Sequence, residues 1–410
     1  MTSSPAPQSL RRDAQVIGLV GLAHATSHFY HLMLASLFPW LKAAFGLSYA
    51  ELGLLLSVFF VVSGVGQALA GFVVDRAGAW IVLMSGLGCL AASALVLAAS
   101  RNYATLMGAA AVAGLGNSVF HPADFTILNR RVSVPRLGHA FSMHGIMGTI
   151  GWATAPVFLA GLSALVGWRP ALLAAALLTF TILALLVASR ALLDTHEAHA
   201  ALGASKHASS PADLLGFLRS PGVWMCLAFF FITAMSLGGI QSFAPAALSE
   251  LYGIPLTLAT TSITAYMLAS AAGMLAGGFL AARTSHHERI IAGAFATAGA
   301  LCMLVASGTV SAGTTLALLA AIGFGAGIAG PSRDLLVRAA APRGATGRVY
   351  GVVYSGLDVG MSIAPLMFGA MMDRGHPAWV FVAIGLFQSL ALFTALGLGG
   401  SAQRTRAQPA

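Results

Sequence analysis

Three histidines, His24, His28 and His31, recur at i, i+4 and i+7 inside one long apolar run. At 100° per residue a helix gathers them within an arc of about 60°. One histidine in such a run is ordinarily a packing residue. Three on one stripe could carry a proton, hold an anion or ligate a metal, and a water-filled cavity is their natural setting. Asn117, His121 and Asp124 repeat the same spacing in a later run. Asp124 lies two turns from Arg130, so it either pairs with Arg130 or Arg131 or serves coupling or substrate contact. Arg333 and Asp334 are adjacent and point about 100° apart on a helix. Asp334 and Arg338 make an i, i+4 pair with the acid first, the stabilising order, which reads as part of a gate. Arg333 points elsewhere and is a candidate for a cavity. Asp358 falls near mid-bilayer and is expected to pair with Arg333 or to be buried protonated. Gln241 adds a neutral polar group. Ionisable residues in apolar runs are costly and therefore mark function or pairing.

The elements that must position these groups are long apolar runs near 15–42, 49–74, 79–100, 104–129, 137–165, 169–190, 221–249, 257–282, 289–309, 313–337, 347–372 and 378–399. A bilayer-spanning helix needs about 20 such residues. The fold class expected is therefore an all-α membrane protein with twelve transmembrane helices. Only 8% of the 410 residues are charged, against roughly a quarter in a soluble domain, which excludes a soluble enzyme and a disordered chain. The three cysteines, Cys89, Cys226 and Cys302, lie in apolar runs and read as small core residues. With the N-terminus inside, 16 of the 21 Lys and Arg fall in cytoplasmic segments and 4 outside, Arg333 being the last. The net charge of +9 is thus dispersed among loops, and no nucleic-acid partner is expected. Residues 191–220, with His196, His199 and His207, read as a solvated cytoplasmic linker, a metal-binding tract being the alternative. The expected organisation is a cytoplasmic tail 1–14, a six-helix bundle 15–190, the linker, a second bundle 221–400 and a cytoplasmic tail 401–410.

The two groups of six runs are related. Phe45-Gly46 and Tyr252-Gly253 are 207 apart, as are Gly71–Arg76 and Gly278–Arg283. Gly114, Gly116, Pro122, Gly138, Gly151, Ala155 and Pro156 recur as Gly323, Gly325, Pro331, Gly347, Gly360, Ala364 and Pro365, at an offset of 209. Two parallel six-helix repeats follow, an arrangement that places a substrate site at their interface near the midplane. The positions matching His24, His28 and His31 are Phe230, Ala234 and Leu237, so the histidines are not a requirement of the repeat.

The chain resembles the major facilitator superfamily along its whole length. Gly71-Phe-Val-Val-Asp75-Arg76-Ala-Gly78 is similar to that superfamily's loop signature, and Gly145-x-x-Gly148-x-x-Gly151-x-x-x-Ala155-Pro156 to its helix 5 motif. Small residues at that spacing let helices approach closely and slide. The resemblance implies a conformational role for Asp75 and Arg76, with Asp75 at the N-terminal end of helix 11. Narrower similarity, on His24, Phe38-Pro39 and Gly114-Leu-Gly116-Asn117-Ser118-Val119-Phe120-His121-Pro122, is to the fosmidomycin-resistance type of exporter. That type follows its helix 1 histidine with Asn-Asp, where this chain has Ser27-His28. It also has an acid directly after His-Pro, where this chain has Ala123 and then Asp124. Proton coupling is accordingly expected at His28 with Asp124 facing it.

The function expected is secondary active transport by alternating access, with proton-coupled export of small organic or drug-like molecules. The alternative is uptake of an organic anion by proton symport. A membrane di-iron oxygenase is a remote third reading, because His24-x-x-x-His28-x-x-His31 imitates a histidine box but no comparable second box follows. No Gly-x-x-x-x-Gly-Lys loop is present for direct ATP drive. No cofactor and no metal are expected. The partners expected are a small-molecule substrate, protons and the lipid bilayer, for a monomer in a bacterial cytoplasmic membrane with both termini cytoplasmic.

Overall fold

The computed structural model describes residues 9–195, 221–284, 286–340 and 346–407. Residues 196–220 of the linker expected at 191–220, and the first residues of the N-terminal tail, lie outside them. Every regular element among the described residues is helical. Helices α1 (Leu10–His31), α2 (Met33–Phe45), α3 (Tyr49–Ala77), α4 (Ala79–Ala99), α5 (Tyr103–Asn117), α6 (Phe120–Arg131), α7 (Leu137–Val166), α8 (Trp168–Ala188) and α9 (Arg190–Leu193) precede the linker. Helices α10 (Pro221–Tyr252), α11 (Leu256–Ala282), α12 (His287–Ala306), α13 (Ala312–Ala340), α14 (Thr346–Asp373) and α15 (Pro377–Ala407) follow it.

Among the described residues, ten helices are long and apolar enough to cross a membrane. The run expected at 15–42 is not among them: it is broken at Leu32 into α1 and α2, and α1, long enough at 22 residues, carries His24, His28 and His31, which lower its hydropathy. The last run lies in α15, whose apolar stretch is described over Pro377–Phe393. The span Tyr103–Arg131, one of the ten, is divided between α5 and α6. Pro122 has no N–H for the Ser118 carbonyl, and its ring crowds that carbonyl, which favours the break one turn earlier, at Ser118–Val119. Large apolar side chains such as Leu69, Phe72, Leu177, Phe279 and Phe393 face outward, as lipid-facing residues do.

The helices group into two compact units, Met1–Leu34 with Val61–His207 and Ala35–Phe60 with Ala208–Ala410. In the first, α1 lies against α7, with Gly151 at the Ala25 carbonyl, and α4 against α5, where Gly86 meets Gly116. Tyr30 and Thr179 share a hydroxyl hydrogen bond of 3.0 Å between α1 and α8. In the second, α10 lies against α14, with Gly360 at the Phe231 carbonyl, and the Gln388 amide donates to Ser236 Oγ at 3.2 Å. These contacts correspond position by position: Ala25, Tyr30, Gly151 and Thr179 are offset by 206 or 209 from Phe231, Ser236, Gly360 and Gln388. Gly46 and Gly253, 207 apart, both adopt φ +65° just after α2 and α10, the left-handed helix stop that glycine tolerates best.

Residues 35–60 are held within the second unit by the N-terminus of α3. Asp373, the last residue of α14, accepts the Tyr49 and Ala50 N–H groups on its two carboxylate oxygens at 2.7 and 2.8 Å. A carboxylate there satisfies orphan donors and meets the positive end of the helix dipole. The Tyr49 hydroxyl donates to Glu250 at 2.7 Å, and Gly53 sits against the Pro365 carbonyl.

At the other end of the first unit, Asp13 in the first turn of α1 is buried and accepts from the Ser133 hydroxyl at 2.5 Å and from the Arg136 guanidinium. Burial pushes its carboxyl up, but these donors more than offset that and hold it below the usual carboxylate range. A depressed folded value means stability that is present above about pH 4 and lost as pH falls through the folded value. Asp13→Asn should therefore cost about 2 kcal/mol at neutral pH. Thermal melting of the purified protein should show this gap closing below pH 4, and a gap independent of pH would contradict it.

Candidate functional site

The histidine stripe of α1 faces α6 and α7 and meets a buried acid there. Asp124 is fully buried, and its Oδ2 lies 3.1 Å from His144 Nε2, hydrogen-bonded, and 3.2 Å from His24 Nδ1. The His24 contact has ion-pair distance without hydrogen-bond alignment, which leaves His24 Nδ1 buried with no hydrogen-bond partner; Asp124 Oδ1 is likewise buried and unpartnered. His24 and His144 stack with centroids 3.5 Å apart. His28 follows, 4.3 Å from the His24 ring and stacked on Trp152 at 4.3 Å, and its Nδ1 is likewise unpartnered. His121 approaches His24 edge-on at 5.2 Å and bonds Gln67 Oε1 through Nδ1 at 3.1 Å. The acid thus contacts His24 rather than His28, and its partners are imidazoles rather than Arg130 or Arg131. The two readings had rested on helical spacing alone, which says nothing of which residue on α7 fills the space between.

A neutral network closes one side of the cluster. Asn117, the last residue of α5, accepts from Ser27 Oγ at 2.6 Å and from His31 Nε2 at 2.9 Å, and donates to Ser63 Oγ at 2.7 Å. The Trp152 indole, a donor only, points at His31 Nδ1 from 3.3 Å. His31 is therefore the tautomer with its proton on Nε2, and both of its nitrogens are engaged. His31 is a fixed structural member, while His24, His28 and His144 retain unused capacity.

The sequence singled out neither His144 nor Trp152. The signal was present, because His144, Gly148 and Gly151 share one helical stripe, and Gly148 and Trp152 are four apart. A Cβ at Gly148 would stand 2.7–3.0 Å from atoms of the His28 and His24 rings, and one at Gly151 would stand 2.1 Å from the Ala25 carbonyl oxygen. Gly145 has open space around it, and Pro156 continues α7. In the loop signature, Gly78 takes φ +88° to start α4, Gly71 has open space and Arg76 is exposed. The side chains of Asp75, Asp334 and Arg338 lie outside the described residues.

The second unit does not join Arg333 to Asp358. Among the described residues no ion pair links them, and the Arg333 guanidinium lies over the Phe230 ring, 5.0 Å from its centroid. A cation over an aromatic face is a favourable seat. Phe230 and Arg333 correspond to His24 and Asp124 at offsets of 206 and 209, so the same pair of positions carries an imidazole–carboxylate contact in one unit and a cation–π contact in the other. Gln241 is buried in α10 with neither amide atom hydrogen-bonded.

The family model described as Major Facilitator Superfamily matches residues 20–365, and again residues 248–406. The chain belongs to the major facilitator superfamily. It is thus a multi-pass membrane protein of a transporter family and not an enzyme, which sets the oxygenase reading aside. Among curated superfamily relatives, the fosmidomycin resistance protein of Escherichia coli (strain K12) is 25% identical over 273 residues, covering 65% of this chain and 65% of its own length. The chain therefore spans just under two thirds of that relative. The probable L-galactonate transporter of the same organism is 24% identical over 359 residues, 82% of this chain and 78% of that one. The fold matches a solved bacterial homologue of the human lysosomal transporter Spinster, inward-facing and unoccupied, with a TM-score of 0.75 at 15% identity over 98% of this chain and 100% of that one.

Proposed function

We propose that this superfamily member is a secondary active transporter that exports small organic or drug-like molecules in exchange for protons by alternating access. The observation that carries the proposal is the buried Asp124 carboxylate lying against two imidazoles, His24 and His144, within helices that cross the membrane. Its single negative charge can neutralise one imidazolium, and a second would be buried without compensation. The cluster therefore has two charge states separated by one proton, which is what coupling requires. His28, stacked on Trp152 and adjacent to His24, is the next station for that proton.

The architecture proposed is twelve spans in two parallel six-helix repeats, with both termini and the linker cytoplasmic in a bacterial inner membrane. The paired contacts at offsets of 206 and 209 support the duplication, and the distribution of arginines supports the orientation. The Asp373 cap on α3, with Tyr49 and Glu250 beside it, supports a gate at the outer ends of these helices. Similarity to the fosmidomycin resistance protein supports export. A second reading, uptake of an organic anion, is favoured by the longer match to the probable L-galactonate transporter and by Arg333, and it uses the same proton site in symport.

Accumulation of labelled organic compounds in cells making the protein tests the direction. Export predicts lower accumulation than in cells without it, restored by an uncoupler that collapses the proton gradient. Higher accumulation, abolished by the uncoupler, would instead establish uptake.

A further inference from the structure

The stripe that the sequence expects to be free of metal has, once folded, the donor geometry of a metal site. His24 comes from α1, Asp124 from α6 and His144 from α7, and their ligand atoms all lie within 4.8 Å of one another with every residue buried. Divalent zinc binds imidazole nitrogen and carboxylate oxygen at about 2.0–2.2 Å, so neighbouring donors of a tetrahedral site stand about 3.4 Å apart. The two edges meeting at Asp124 Oδ2, at 3.1 and 3.2 Å, are within a few tenths of an ångström of that spacing.

A second, independent observation points to a ligand. His24 Nδ1 and Asp124 Oδ1 are buried polar atoms with no hydrogen-bond partner. Buried polar groups are ordinarily satisfied, and orphans on two members of one donor cluster call for a bound species. The His24 Nδ1 contact with Asp124 is close but not aligned as a hydrogen bond, as expected of two lone-pair donors converging on a third centre. Gly148 lets α7 come close enough to hold the His24 and His28 rings, since a Cβ there would stand 2.8 Å from His28 Nδ1 and 3.0 Å from His24 Nε2. His121 supplies a path, because it is only partly buried and belongs to a second group, with His24 and His28, whose donors also lie within 4.8 Å. Its Nδ1 is held by Gln67 Oε1, the kind of outer partner that orients a metal-binding imidazole.

We infer that His24, Asp124 and His144 form a binding site for one divalent transition-metal ion of the zinc type, with the remaining coordination position left to solvent or an exchangeable ligand. Two imidazoles and one carboxylate suit such ions and not calcium or magnesium, which prefer all-oxygen shells. Ligation would tie α1, α6 and α7 together. The inference goes beyond the transport reading and does not depend on it, since binding is read on purified protein with no gradient and no substrate.

The test uses tag-free protein in detergent, titrated with Zn2+ by calorimetry and with Co2+ by visible absorption. One micromolar-affinity Zn2+ per chain is expected, with a higher melting temperature in its presence and intense Co2+ bands of four-coordinate N/O ligation. His144→Gln and Asp124→Asn should each weaken binding at least tenfold and abolish the melting shift. Replacing His139, His286 and His287 together should change nothing. The inference is overturned if wild-type protein binds no stoichiometric Zn2+, or if the Co2+ spectrum is that of a six-coordinate aqua ion. It is equally overturned if binding survives His144→Gln but not the triple replacement. Because the Co2+ spectrum is taken on wild-type protein, a variant that fails to fold does not leave the matter open.

Discussion

Replacing Asp124 by asparagine should reduce gradient-driven transport to the level of vesicles without the protein, while energy-independent exchange of substrate across the membrane continues. The carboxylate is fully buried and its partners are His24 and His144. Asparagine keeps the shape and one acceptor oxygen, so α1, α6 and α7 can pack as before, but the cluster loses the charge that makes one imidazolium tolerable there. Alanine removes the acceptor as well and leaves the His144 ring without its hydrogen bond, and should cost about 3 kcal/mol of stability in addition. Parallel measurement of uphill transport, counterflow exchange and melting separates these effects. Loss of exchange together with uphill transport in a stably folded Asp124→Asn protein would mark the residue as a substrate contact and not a coupling group. Full uphill activity would remove it from the mechanism.

The largest effect on stability should come from Gly151→Val. A Cβ at this position stands 2.1 Å from the backbone carbonyl oxygen of Ala25, and a main-chain oxygen cannot rotate away. Valine adds two methyl groups in the same space, so α1 and α7 must separate along the line that carries His24, His28 and His144. Overpacking of this kind costs about 3 kcal/mol or more, enough to abolish accumulation of folded protein in the membrane. Gly145→Val, two turns away on α7, meets open space and should leave expression unchanged. Quantified membrane levels of the two variants check the contrast, and equal levels would show that the α1–α7 approach is not needed.

That contrast illustrates what was legible in the sequence. The glycine motif correctly suggests close helix approach, yet only the fold distinguishes Gly148 and Gly151, which seat α1, from Gly145, which does not. The histidine stripe was legible because a helix fixes the direction of i, i+4 and i+7, and the apolar runs because the bilayer demands them. The break at Ser118–Val119 was legible in principle from Pro122, although the run looked continuous by hydropathy. Partners on other helices were not legible. Placing Asp358 near mid-bilayer suggested Arg333, but the guanidinium finds the Phe230 ring, and nothing in local spacing tells which neighbour a long side chain will reach. Asp13 and Asp373 escaped notice for a related reason. Each acts at the end of a helix, and their donors, Ser133 and Arg136 in one case and the Tyr49 and Ala50 amides in the other, are more than a hundred residues away.

If movement of an organic molecule through this chain is tied to proton movement in the opposite sense, a pH electrode in a weakly buffered suspension of cells making the protein will register it, using a compound whose accumulation the protein lowers. Adding that compound outside drives it inward through an exchanger and drives protons out, so acidification of the medium is expected, absent in cells making Asp124→Asn. Alkalinisation would show that compound and proton travel together, and entry of the compound with no change of pH would show that protons are not coupled to it at all.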